Sequence, residues 1–147
     1  MSYSIEMGVN FHKVRRLAKI IAPDFRIFAT EALRAEDCVL DMTQKTIEVG
    51  EKTSEMKAVA AILFQVGHLR LRNDPKFAEH FGKIQIENEK ILTKRLIKQG
   101  VEADKKASEW AIEALVGAWN LDRAYAQKLV ESYVWCQQEW ADYYSNN

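Results

Sequence analysis

The stretch over residues 58–69 constrains the fold more than any other part of the chain. Within it, only Gln65 and His68 are polar. A helix that is apolar nearly all round has to be buried on every side, so the pattern predicts a central helix with the rest of the chain packed around it. Gly67 costs about 1 kcal/mol relative to Ala inside a helix, which predicts that a neighbouring element approaches the helix closely there.

The segments before this helix predict one helix and a small sheet. Apolar residues at three- and four-residue steps predict a first helix over 10–21, which Pro23 ends because proline forces its predecessor out of the helical region. A short strand is predicted near residues 25–28. Two β-rich runs, 38–42 and 46–49, predict an antiparallel hairpin with its turn at 43–45.

The segments after the strands are predicted to be helical. Capping residues, apolar spacing and the break at Pro75 set the expected boundaries. The first of these helices runs from Thr53 or Ser54 to about Arg72. The second covers 76–98, with an interruption near Gly82 and a C-cap at Gly100. The last two cover 102–118 and 121–143 and are joined at Asn120.

The expected fold class is α+β and mainly helical, with five or so helices and a small antiparallel β-hairpin or sheet packed on the buried central helix. A chain of 147 residues, 48% hydrophobic, suits one domain over residues 1–147. A C-terminal helix pair is expected at about 102–143.

Charge and hydropathy exclude several classes of protein. The 21 basic and 21 acidic residues cancel, which argues against binding nucleic acid by bulk phosphate attraction. No apolar run approaches the roughly twenty residues of a membrane span, and the first residues do not form a signal peptide. We therefore expect a cytoplasmic protein, with Cys38 and Cys136 as buried free thiols.

The central helix carries the motif Phe64-Gln65-Val66-Gly67-His68. It resembles the active-site helix of small HExxH zinc metallopeptidases, the minimal zincin- or gluzincin-like proteins, with its motif degenerate. In this resemblance Phe64 stands at the first His, Gln65 at the Glu and His68 at the second His. Val66 and Gly67 match the spacer, and the preceding hairpin matches the family's order of elements. The resemblance covers roughly residues 25–98 and implies a metallopeptidase-like core there.

The substitutions remove the chemistry that the resemblance implies. In an intact motif two His four residues apart bind one zinc ion, and the Glu acts as general base. Phe64 cannot bind zinc, and Gln65 cannot accept a proton. Because a catalytic zinc needs three protein ligands and an open position, we expect no catalytic residues, no metal and no cofactor.

The resemblance also implies a third ligand on a downstream helix, where Glu87 or Glu89 matches the family's glutamate and Glu87 fits better. A rearranged zinc site formed by His68, His80 and Glu87 is the alternative, which would make the chain a metal-dependent hydrolase. We favour a structural His68, bonded in the core to Gln65 or to a glutamate of the next helix.

The function expected from the resemblance is that of an inactive metallopeptidase-like protein that binds a protein partner, with a regulatory role in a bacterial, phage or mobile-element setting. A DNA-binding regulator using the C-terminal helix pair is another alternative, although that pair holds too few basic residues to favour it. Two surfaces offer contacts. Aromatic residues near the C-terminus would serve a partner or a second copy: Trp135, Trp140, Tyr143 and Tyr144. Basic residues of the first helix are predicted to be solvated, with an acidic or nucleic-acid partner as the alternative: Lys13, Arg15, Arg16 and Lys19.

Overall fold

The computed structural model describes residues 5–78, 81 and 94–131. In these residues the fold is α+β and mainly helical, as predicted. Short 3-10 turns lie at Ile5–Met7 and Pro75–Phe77. The helices and strands are α1 (Val9–Ile21), β1 (Arg26–Thr30), β2 (Cys38–Asp41), β3 (Thr46–Gly50), α2 (Glu55–Leu69), α3 (Lys94–Ala118) and α4 (123–131). Each helix within these ranges is too short or too polar to cross a membrane.

The three strands form one sheet in the order β1-β3-β2. β2 and β3 pair in antiparallel fashion, which confirms the predicted hairpin. Asp41 Oδ1 accepts hydrogen bonds of 2.9 Å from the backbone N–H groups of Thr43 and Gln44, which stabilises the turn at its predicted position. β1 pairs with β3 in parallel, a long-range pairing that the sequence pattern did not predict.

α2 is the centre of the fold, as its apolar sequence predicts. It packs against α1, α3 and the sheet, and residues around its whole circumference are buried. The buried positions are Ala58, Val59, Ala60, Ala61, Ile62, Leu63, Phe64, Val66, Gly67, His68 and Leu69. Ser54 is the N-cap residue, and the helix ends at Leu69, earlier than the predicted Arg72.

α1 confirms the predicted first helix and is amphipathic. Phe11, Val14 and Ala18 are buried on one side, where the helix packs against α2. Val9 and Ile20 are among the exposed large hydrophobic residues of the described chain. α1 therefore contributes one face to the core and presents the other to solvent.

The predicted helix C-cap at Gly100 is wrong. α3 runs without interruption through Gly100, so the separate helix predicted over 102–118 is the second half of a longer one. A glycine inside a helix costs only about 1 kcal/mol, and the burial of Ala103, Ala107 and Ala111 on one side of α3 offsets that cost. No proline follows Gly100 to stop the helix.

The predicted join between the last two helices is confirmed at Asn120. Its φ of 54° lies in the left-handed region, which asparagine tolerates better than most residues. The backbone N–H of Leu121 donates to the Leu115 carbonyl at 3.2 Å and so satisfies a carbonyl at the end of α3. Several predictions lie outside the described residues: the helix beyond 131, Cys136, Gly82, and the aromatic residues Trp135, Trp140, Tyr143 and Tyr144.

Candidate functional site

His68 and Gly67 lie in the interior, on the part of α2 that contacts α3. Phe64 has only 1% of its surface exposed and His68 only 6%, whereas Gln65 is half-buried. Since positions i and i+4 share one helix face, Phe64 and His68 are neighbours. Their ring centroids are 4.8 Å apart with an interplanar angle of 81°, so the edge of one ring meets the face of the other.

The polar partner of His68 is a carboxylate from α3. His68 Nε2 lies 2.5 Å from Asp104 Oδ1, and both side chains are about nine-tenths buried. With the carboxylate ionised, Nε2 must be the donor, because a carboxylate only accepts. A ring nitrogen that donates its proton has no lone pair to offer a metal ion.

This contact agrees with the favoured prediction of a structural His68 but changes its partner. The expected partner was Gln65 or a glutamate, whereas the structure places an aspartate there. The sequence pattern did not identify Asp104, because the resemblance implied a glutamate, Glu87 or Glu89, on a different segment of the chain. The signal that could have found it is an acidic residue within an alanine-rich, buried helix face, next to Ala103 and one turn before Ser108, which is also buried.

Gly67 brings the two helices together. A Cβ atom on Gly67 would lie 2.8 Å from the Ala107 carbonyl oxygen and 2.9 Å from its Cα, closer than such atoms are normally found. The backbone of α3 therefore passes directly over Gly67, which confirms the predicted packing reason for this glycine. Asp104 precedes Ala107 by one turn, and this crossing carries its carboxylate to His68.

Trp110 and Arg70 lie at the edge of the same crossing. The Arg70 guanidinium is 5.2 Å from the centre of the Trp110 ring, with Arg70 exposed and Trp110 half-buried. A cation over an aromatic ring at this distance adds about 0.5–1 kcal/mol at an exposed site. The pair covers the outer rim of the α2–α3 contact.

His80, Glu87 and Glu89 lie outside the described residues, so the alternative zinc site and the assignment of the third ligand stay predictions. His12 is exposed on α1. Within residues 5–78, 81 and 94–131, three or more metal-ligating side chains are nowhere gathered into one group.

A concavity of about 330 Å³ lies beside the loop between β1 and β2. Leu33, Arg34, Glu51 and Lys52 contribute to its lining. Gly50 shapes it, because a Cβ atom there would lie 2.1 Å from the Arg34 carbonyl oxygen. The lining holds charged groups of both signs but no His, Cys or hydroxyl side chain.

Cys38 provides no reactive thiol. It is a free cysteine of β2, half-buried against the core, and desolvation by burial raises the pKa of its thiol to about 12. The thiolate is the nucleophilic form of cysteine. Desolvation therefore disfavours the nucleophilic form of Cys38, whose side chain is half-buried and not fully buried as predicted.

Comparisons with protein-family models, with curated proteins and with solved structures find no match to this chain. The resemblance to HExxH peptidases thus rests on the motif in α2 and on the hairpin that precedes it.

Proposed function

We propose that this chain is a metallopeptidase-like protein that has lost its zinc chemistry and acts by binding a protein partner. The observation that carries the proposal is the contact between His68 and Asp104. The imidazole that stands at the second His of the motif is engaged with a buried carboxylate through Nε2. The other zinc-binding position holds Phe64, whose ring fills the space beside it.

The His68–Asp104 contact gives the motif a structural use. A hydrogen bond between buried ionisable groups is stronger than one between neutral groups, and removing one partner of such a pair typically costs about 3–5 kcal/mol. The pair joins α2 to α3 at their closest crossing. A residue type inherited from catalysis would thus be retained because it holds the two helices in register.

Gln65, at the position of the catalytic glutamate in the resemblance, also supports the proposal. Gln65 preserves the length and hydrogen-bonding capacity of glutamate but accepts no proton. Its side chain is half-buried next to the buried ring of Phe64. Hydrolysis of a peptide by the zinc mechanism needs a group that activates water beside the ion, and Gln65 cannot act as that group.

Reconstitution of the metal site tests the relationship to peptidases. The double variant Phe64→His, Gln65→Glu would offer two imidazoles four residues apart, with the Asp104 carboxylate already beside one of them. We expect it to bind one zinc ion per chain in calorimetry, with the ion raising the melting temperature. Adding His68→Ala is the matched control and should abolish that binding, because it removes one of the two imidazoles.

Two results would count against the proposal. If the folded double variant binds no zinc, the alignment of Phe64 with a zinc ligand is wrong. If the purified wild-type protein holds one zinc ion per chain, and the His68→Ala variant loses it, the chain is a metalloprotein, and the rearranged site with His80 and Glu87 becomes the better account.

A further inference from the structure

The side of α1 that points away from the core carries an unusual combination of residues. We call Val9, His12, Arg16, Lys19 and Ile20 the outer face of α1. All five are exposed, and Val9 and Ile20 retain 78% and 80% of their surface. At about 100° per residue, these positions fall within one third of the helix circumference, opposite the buried residues.

The charge of the outer face has one sign. α1 contains no acidic residue. Within the part of the chain that the structure describes, no ion pair or hydrogen bond engages the side chains of Arg16 and Lys19. The other two basic residues of α1 are engaged: Arg15 bonds to Glu6 at 2.8 Å, and the Lys13 ammonium contacts the Ala118 carbonyl and the Trp119 ring.

The aliphatic groups of the outer face have a regular spacing. Val9 and Ile20 are separated by three helical turns and lie about 16 Å apart along the axis. Arg16 lies between them on the same line, and Lys19 lies beside Ile20. The face therefore presents apolar contacts at its two ends and cations between and beside them.

This arrangement fits an acidic amphipathic helix better than the other polyanions. A phosphate backbone would neutralise Arg16 and Lys19 but has no apolar surface to cover Val9 and Ile20. An anionic membrane would accept the aliphatic groups, yet a helix inserts into a membrane interface through a broad apolar face, and that face of α1 is already buried in the core. A helix with carboxylates between apolar residues satisfies both features.

We infer that the outer face of α1 binds an acidic amphipathic helix of a partner protein. Its carboxylates pair with Arg16 and Lys19, and its apolar side chains cover Val9 and Ile20. The inference rests on the proposed function only in calling for a protein partner. It involves neither the motif of α2 nor zinc, so the two can fail separately.

A designed peptide is the probe. It is a short helix with two leucines at the spacing of Val9 and Ile20 and glutamates between them. We expect it to bind the full-length protein in fluorescence anisotropy, more weakly at high salt. The variant Arg16→Glu, Lys19→Glu should weaken binding by about tenfold or more, because it replaces attraction by repulsion.

The matched control is Lys105→Glu, Lys128→Glu. It changes the net charge equally but alters exposed residues of α3 and α4, and it should bind the peptide as the wild type does. Equal binding by both charge-reversed proteins and the wild type would overturn the inference, as would no binding by the wild type. Circular dichroism confirms that each variant is folded.

Two further arms exclude the competing polyanions. Short duplex DNA and vesicles of phosphatidylcholine with phosphatidylserine are titrated against the same proteins. In one outcome the wild type binds DNA or the vesicles more tightly than it binds the peptide, and the Arg16→Glu, Lys19→Glu variant loses that binding. This result would assign the outer face to that polyanion and overturn the inference. Replacing the leucines of the peptide by serine should weaken its binding, since Val9 and Ile20 then lose their contacts.

Discussion

α1 and α2 are adjacent helices of one core, but they differ in how much surface they keep. α2 is buried over most of its surface, and even His68 directs its Nε2 atom at a carboxylate inside the protein. α1 buries one face only, and its own histidine, His12, is exposed. The same side chain is thus a packing element in one helix and part of a solvated surface in the other.

Because of this difference, we expect α2 to contribute mainly to stability and the outer face of α1 to contribute mainly to binding. Substitutions in α2 act on the close crossing with α3, where Gly67 leaves no room and Asp104 is buried. Substitutions on the outer face of α1 act on groups that touch little of the described protein. We therefore expect large changes in the free energy of unfolding from the first region and changes in binding alone from the second.

The largest effect is expected from Asp104→Ala. The substitution removes the carboxylate that contacts His68 Nε2 and should lower the free energy of unfolding by about 3–5 kcal/mol, measured by urea denaturation. Replacing both residues, His68→Leu with Asp104→Leu, should restore most of the loss, because apolar side chains of similar size need no buried partner.

Glu109→Ala provides the control on the exposed side of α3, where a loss within about 0.5 kcal/mol is expected. An Asp104→Ala variant as stable as this control would show that the His68–Asp104 contact has no structural role. The contrast between the two helices would then rest on apolar packing alone.

Gly67→Ala should have the next largest effect. The added methyl group would lie within 3 Å of the Ala107 backbone, so the two helices must separate, and overpacking of this kind costs about 1–3 kcal/mol. Gly117→Ala is the matched control, because a Cβ atom there meets nothing within 4 Å. It should gain up to about 1 kcal/mol from helix propensity. Similar urea midpoints for both variants would contradict a close crossing at Gly67.

Local patterns in the sequence were enough to predict the first helix, the hairpin and the burial of α2. The apolar run reveals a buried helix, Gly67 a close neighbour, and the runs flanking the turn at 43–45 a hairpin. Phe64, Gln65 and His68 were placed on the correct helix because their spacing is a property of that helix alone.

What the sequence left unpredicted depends on which elements meet in space. Asp104 reaches His68 from another helix, and nothing in the spacing of either helix specifies their crossing point. The parallel pairing of β1 with β3 is likewise set by how the sheet packs on α2. The continuity of α3 through Gly100 depends on tertiary burial of its alanine face, which outweighs the local preference of glycine to end a helix.

A smaller effect is expected where the segment after α1 meets the end of α2. Arg72 donates two hydrogen bonds, of 2.8 and 3.0 Å, to the Asp24 carboxylate. These bonds lower the pKa of Asp24 below its usual value. A carboxyl group whose pKa is depressed by folding stabilises the protein above its unfolded pKa of about 3.9 and loses that contribution as the pH falls.

Asp24→Asn should therefore cost up to about 1 kcal/mol at neutral pH, the range of a surface ion pair, and almost nothing in acid. Urea denaturation at several pH values measures the difference. Glu109→Gln, which alters an exposed carboxylate on α3, should show no such pH dependence. A cost for Asp24→Asn that persists in acid would mean that the contact is not electrostatic.

The smallest effect on stability is expected on the outer face of α1. Ile20→Ser should change the free energy of unfolding by about 0.5 kcal/mol or less, as for other exposed positions. Leu17→Ser is the matched control on the same helix. Leu17 packs against the core, and its loss should cost about 1–3 kcal/mol. Equal losses for the two variants would mean that another part of the chain covers Ile20, which would leave no outer face for a partner helix. An Ile20→Ser variant that is as stable as the wild type but binds the acidic peptide more weakly would show that Ile20 serves binding while Leu17 serves stability.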